Sequence, residues 1–424
     1  MAFLNDPIKF VADWLASLMQ GWGWSEGLIN FINTALGAFV VANFGLLFVI
    51  FLIWLERKLA ARMQDRLGPN RVGPYGLAQT IADIVKLFTK EDTTPAGADK
   101  VVFNLAPIMA VLSVVLIWAV VPFTTGWIGT DLNVGVLYIV AVGSLGIVAT
   151  LIGGWSSNNK FALLGAFRTV AQLVSYEVPM VLSLMVPVML AGSMGMGTIV
   201  MGQTNWYSIF FWMAPIAAFI FFISSIAEVG RTPFDLLEAE SEIVAGFHIE
   251  YSGAKFAMIF AAEFLHAFTI SVLTMTLFFG GWQGWGDSIP LVGWVWFMVK
   301  SLAVYFLVVW VRSTLPRIRI DHMLSYNWKF LTPLALAVLM VTALLDKLVL
   351  AAVDIATSQG QITRTLVHLG ANAVIGAATF AIMKRRQGSR PARRVVAQPR
   401  PVARPPQKAE APAEPAASAE PAAS

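Results

Sequence analysis

Six carboxylates, Glu228, Asp235, Glu238, Glu240, Glu242 and Glu250, fall between residues 228 and 250 against a single arginine, Arg231. Like charges this close cannot all ionise cheaply. Mutual repulsion and partial burial make such a set hold protons near neutrality and titrate together, which is the chemistry of a proton reservoir or relay. The segment lies between two apolar stretches long enough to cross a bilayer, where ionisable groups are costly unless they serve ions, protons or a buried polar site. Pro233 after Thr232 suits a first helical turn, which would set Asp235, Glu238 and Glu242 on one face and Glu240 elsewhere. A solvated acidic loop that binds basic partners is the plainer alternative. The interleaved Phe234, Leu236, Leu237, Ile243, Val244 and Phe247 weigh against full solvation.

Further ionisable residues extend the same line. Glu177 opens an apolar stretch, Glu263 and His266 lie one helical turn apart in another, and Lys300 sits in a third. A charge left at mid-bilayer costs about 2.5–3.5 kcal/mol even on insertion-based scales, so these groups should face the protein interior and one another. They could be no more than polar contacts between packed helices, or they could mark a polar path inward from the membrane edge. Arg57 and Arg66 lie on a helix with Leu55, Leu59, Met63 and Leu67 at every fourth position, followed by the turn-rich Gly68–Gly76. A second amphipathic helix then sets Leu77, Ile81, Ile84, Val85 and Phe88 opposite Gln79, Asp83, Lys86 and Lys90. This pair reads as a docking platform beside a polar site, against the alternative of an ordinary basic loop. Arg312, Arg317, Arg319 and Asp321 form a last polar group, either simple basic flanking charge or the floor of a site for a lipid-like molecule.

The elements that must hold these groups are transmembrane helices. Of 424 residues 57% are hydrophobic and 13% charged, where soluble domains carry roughly 25% charged. The apolar runs exceed the ~18 residues needed to span as a helix. An all-α membrane domain with nine spans is expected, at about 34–55, 102–123, 132–153, 178–200, 206–227, 256–279, 291–311, 329–345 and 365–383. Residues 1–33 hold no full span and no evident signal peptide; Pro7 and the apolar face of Ile8, Val11, Leu15 and Leu18 suggest a short interfacial helix. Placing residues 1–33 outside puts 25 of the 29 lysines and arginines inside, so the N terminus should be periplasmic and the C terminus cytoplasmic. The tail 384–424 is basic, then Pro/Ala-rich, and should be disordered beside anionic headgroups. With no cysteine, the chain cannot ligate iron–sulfur clusters through thiolates. Four histidines, of which only His266 and His368 fall in spans, give little basis for a haem. Redox chemistry would have to be carried by a partner or a substrate.

The stretch Arg66-x-Gly68-Pro69-Asn70-x-x-Gly73-x-Tyr75-Gly76 resembles the H subunit of bacterial NADH:quinone oxidoreductase (respiratory complex I), the NADH dehydrogenase subunit 1 family. So do Arg168 with Ala171-Gln172-x-x-Ser175-Tyr176-Glu177, Arg231-Thr-Pro-Phe-Asp235-Leu, Ser241-Glu242, Glu250-Tyr251, Glu263 and Pro316-Arg317-x-Arg319-x-Asp321. The resemblance covers roughly residues 35–345. It implies a bacterial inner-membrane protein at the junction with the peripheral arm, contributing to a chamber in which quinone from the bilayer is reduced. Flavin and iron–sulfur clusters would belong to partner subunits, and this chain would bind no cofactor of its own. It further implies that Glu177, Glu228, Asp235, Glu238, Glu240, Glu242 and Glu263 link that chamber to antiporter-like pumping subunits. Arg57, Arg66, Phe234 and Arg312 would lie near the chamber or its entrance. Glu56, Asp83, Arg168, Arg231, Arg317, Arg319 and Asp321 would give polar support. Partners would be peripheral-arm iron–sulfur and quinone-site subunits, other membrane-arm subunits, lipids and quinone, with no nucleic acid. Ala239, Ile320 and His322 depart from the family pattern. The membrane anchor of an energy-converting hydrogenase shares the resemblance but would reduce no quinone. An ion-coupled secondary transporter would show an internal repeat, and none is visible.

Overall fold

A computed structural model describes residues 6–236, 244–353 and 357–388 of the chain. They form helices α1 (Pro7–Gly21), α2 (Glu26–Met63), α3 (Gln79–Thr89), α4 (Lys100–Ile117), α5 (Gly135–Ser156), α6 (Lys160–Ala191) and the short α7 (Met196–Met201). After these come α8 (Phe210–Met213), α9 (Pro215–Val229), α10 (Gly253–Phe278), α11 (Pro290–Thr314), α12 (Ile320–Tyr326), α13 (Thr332–Ala352) and α14 (Ser358–Gly388). Chain contacts divide it into residues 1–376 and 377–424. Among the described residues eight helices are long and apolar enough to cross a bilayer, α12 and α13 counting as one through the π turn Asn327–Leu331. The expected fifth span is broken. Its helix stops at Met213, Ala214 leaves the helical conformation, and Pro215 starts a second piece of 15 residues.

Several span boundaries differ from the sequence expectation, among them the starts of α2 at Glu26 and α14 at Ser358, and the fourth span shows a physical reason. The fourth span is expected from 178, but α6 begins at Lys160, capped by Asn159, whose side chain accepts from the Phe161 amide. The early turns bury only a narrow face of Ala162, Gly165, Ala166, Thr169 and Gln172, so mean hydropathy is low there although the helix is continuous. Gly192, at φ +67°, ends it. Glu177 therefore lies deep within a long helix and not at its start. The second expected span likewise ends early, at Ile117.

Intramembrane prolines set how the helices dock. Pro107 cannot donate to the Phe103 carbonyl, and Pro179 cannot donate to that of Ser175. In lipid such a carbonyl needs another partner. The Tyr251 hydroxyl donates to Phe103 at 3.1 Å and Asn327 Nδ2 to Ser175 at 2.5 Å. At the break before Pro215, Asn372 Nδ2 donates to the Met213 carbonyl at 2.9 Å. Trp118, Phe268, Phe278, Phe297 and Tyr305 form the fully buried centre of the largest apolar core.

Candidate functional site

The site begins where α9 ends. Gly230, at φ +70°, allows the Gly230 and Arg231 amides to return to the Ala227 and Ile226 carbonyls, a helix end that only a left-handed residue closes without strain. The chain leaves sideways and delivers the buried Arg231 to within 3.7 Å of Glu56. Glu56 is itself buried on α2. It accepts from the Tyr305 hydroxyl at 2.9 Å and pairs with Arg312, both from α11. The Arg231 guanidinium also stands 4.5 Å above the Phe264 ring, a cation–π contact that offsets part of its lost hydration. One carboxylate is thus held by two guanidiniums and a phenol, as a buried charge requires.

Residues 231–236 form turns and not the expected helix from Pro233. Their carbonyls are occupied from outside: the Ile318 amide donates to Pro233 at 3.0 Å and Gln172 Nε2 to Phe234 at 2.7 Å. These outside contacts anchor the segment in its turns. Gln172 also donates to the Ala227 carbonyl at 2.7 Å, so one buried amide ties α6 to the end of α9 and to the following loop. Arg317 holds Asp235 at 2.9 Å. Phe234 is buried with its ring 5.3 Å from Tyr176. Glu238, Glu240 and Glu242 lie outside the described residues.

Two clefts meet at one carboxyl. The first is small and polar, bordered by Val229–Thr232, Asp235, Glu263 and Arg312. The second, larger and partly open, lies among α4, α5, α9 and α10 and is bordered by Glu228, Glu263 and His266. Glu263 borders both. Small residues on α4 and α5, Ala106, Ala110, Gly143 and Gly146, leave the second cleft its room. His266 Nε2 stands 3.9 Å from Glu228 Oε1, and the Glu177 charge on α6 acts on Glu228. The arrangement can store and redistribute protons between an arginine-rich rim and an apolar-walled interior.

Other expected site residues lie elsewhere. Arg57 pairs with Asp83 at 2.5 Å, joining α2 to α3. Partial burial works to raise the Asp83 carboxyl, but the hydrogen bond and charge of Arg57, with Gln79 and Lys86, outweigh it and hold it below the ordinary carboxylate value. The exposed Arg66 donates to Gln64, Arg168 is half-buried on α6, and Arg319 and Asp321 are exposed where α12 starts. None of these borders either cleft. Sequence reasoning missed Tyr305 and Asn327. Their signal was a polar tip inside an otherwise apolar run, where a lone phenol or amide needs a buried partner. It also missed the cluster in which Asp346 accepts from Arg364 at 2.7 Å and stands 3.3 Å from His368.

Fold and site together define a multi-pass helical membrane protein with a line of ionisable groups in its interior. The NADH dehydrogenase family model matches residues 36–343. The NADH-quinone oxidoreductase H subunit of Dehalococcoides mccartyi (strain CBDB1) is 50% identical over 305 residues, 72% of this chain and 84% of that protein. The H subunit of the Geobacillus kaustophilus oxidoreductase is 45% identical over 336 residues, 77% of this chain and 98% of its own length. The second of the Geobacter sulfurreducens H subunits is 48% identical over 302 residues, 69% and 90% of the two chains. The chain belongs to the family of NADH-quinone oxidoreductase H subunits and is a membrane component of that oxidoreductase, respiratory complex I.

Proposed function

We propose that this chain contributes to the site of quinone reduction at its cytoplasmic end and converts that reduction into proton movement through its interior carboxylates. Quinone is the substrate; electrons arrive from partner subunits that carry flavin and iron–sulfur clusters, and antiporter-like membrane-arm subunits receive the signal. The N terminus lies on the periplasmic side and the tail in the cytoplasm. The observation that carries this reading is the succession of ionisable groups, joined by ion pairs or by bordering the same cleft. It runs from Arg317–Asp235, through Arg231–Glu56–Arg312 and Glu263, to Glu228 and His266. A negative charge that appears near the two rim arginines, as when a quinone takes up electrons, competes with Glu56 for them and shifts which carboxyls hold protons. In this reading Glu56, Arg231 and Arg312 bind and sense, while Glu263 and Glu228 move protons. Arg57, Arg66 and Phe234 then serve the approach to the chamber, and Glu238, Glu240 and Glu242 continue the acidic line.

The test uses the intact complex, purified and reconstituted in liposomes, with NADH and a short-chain quinone. Glu228→Gln and Glu263→Gln are expected to leave the complex assembled and to reduce protons translocated per NADH at least several-fold. Lumen acidification at the wild-type ratio in both variants would overturn the reading.

A further inference from the structure

The second cleft is bordered by polar groups besides its carboxyls, and they differ in what they can do. Ser113 donates its only hydroxyl proton to the Ala110 carbonyl, and Thr150 donates its own to that of Gly146. Both hydroxyls therefore face the cleft as acceptors. Apart from the carboxyls themselves, His266 is the one bordering side chain among the described residues that can donate to Glu228, and the one that can carry a proton as a cation. Its Nε2 is 3.9 Å from Glu228 Oε1, a gap closed by a side-chain rotation or by one bridging water. Glu263 stands one turn before it on α10.

The groups around the imidazole bear on whether it can hold charge. Glu228 faces it from α9, and Glu263 from its own helix. Glu177 on α6 acts on Glu228. The walls from α4 and α5 contribute only the two hydroxyls and apolar surface. On the other sides of α10, Glu56, Tyr305 and Arg312 are committed to one another and to Arg231, and Lys300 donates to the Phe279, Gly281 and Gln283 carbonyls. The imidazole thus lies beside carboxyls, and no other cationic side chain among the described residues borders its cleft. A line built only of carboxylates accumulates repulsion as it deprotonates. A basic group among them turns that repulsion into attraction.

We infer that His266 is the proton acceptor for Glu228, so that the pair alternates between a protonated carboxyl beside neutral imidazole and a carboxylate beside imidazolium. In the forward step the Glu228 O–H bond breaks and an N–H bond forms at His266 Nε2. The pair's net charge is unchanged, and the step is reversed when the imidazolium returns that proton to the Glu228 carboxylate. This rests on the proton-coupling role proposed for Glu228 and Glu263.

The intact complex in liposomes tests it with His266→Gln and His266→Asn, which keep a donor but cannot become cations. NADH oxidation should persist. Protons translocated per NADH should fall to below half of wild type, and the ratio should depend less on pH than it does in wild type. In parallel, infrared difference spectra on quinone reduction are recorded with ring-labelled histidine. A label-sensitive imidazolium band is expected in wild type, and none at that frequency in the variants. The wild-type ratio and pH profile in an assembled variant would overturn the inference, and so would the absence of any label-sensitive band in wild type, which needs no variant to fold. Glu228→Gln separates the two readings. If it pumps normally the proton-coupling role itself fails; if it does not pump and His266→Gln does, only the role of the histidine fails.

Discussion

Asp83 shows what a single residue can report. Its carboxyl is depressed by Arg57, so the stabilisation it gives to the α2–α3 junction is fully present above the ordinary carboxylate value of about 3.9. That stabilisation is lost only as pH falls through the lower, folded value. Hydrogen exchange of α3 amides in the purified complex should therefore stay slow through mild acid and quicken below the usual carboxylate range, while Asp83→Asn should exchange faster than wild type above that range and no faster below it. At this scale the sequence showed which residues could do chemistry and seldom which would meet. Glu56, Arg231 and Arg312 each stand out as charges beside apolar runs, but their convergence depends on the exit angle at Gly230. Tyr305, which completes the set, looks like core from its neighbours. Glu263 and His266 were legible as a pair because one helical turn separates them, whereas Glu228 reaches them from another helix.

Among elements, the proline-freed carbonyls are the most testable feature. Asn327→Leu should leave the Ser175 carbonyl buried and unpaired, at a cost of about 1–3 kcal/mol. Pro179→Ala restores an N–H to that carbonyl within α6. Added to Asn327→Leu, it should recover much of the loss, so that the two changes are strongly non-additive in thermal melts of the detergent-solubilised complex. Additive effects would mean that the bond contributes little. Element types and most spans were legible, because long apolar runs allow little but helix. The boundaries of α6 were not, since a helix that buries only a narrow face falls below any average hydropathy. The turns at 231–236 were hidden for another reason: the groups that anchor them, Gln172 and the Ile318 amide, are distant in sequence.

Taken as a whole, the chain is longer than the segment that defines its family. The matched residues stop at 343, just before Asp346, whose partners Arg364 and His368 come from α14. Arg364 also donates to the Leu190 carbonyl at 2.9 Å, at the end of α6. A helix beyond the common core is thus tied to it by a largely buried ion pair, for which removing one partner typically costs about 3–5 kcal/mol. Asp346→Ala should lower the melting temperature of the complex and make α14 sensitive to added protease, while NADH oxidation at low temperature stays near wild type. Unchanged melting would mean that α14 is held by its apolar contacts alone.

The order of synthesis gives the proline sites a further meaning. The Phe103, Ser175 and Met213 carbonyls emerge from the ribosome before Tyr251, Asn327 and Asn372, which lie 148, 152 and 159 residues later. Each early helix thus enters the bilayer with a vacancy in its bonding that only a segment still to be translated can fill. The final bond at each point therefore waits for a later segment: at α4 for Tyr251 just before α10, at α6 for the π turn, and at the broken span for α14.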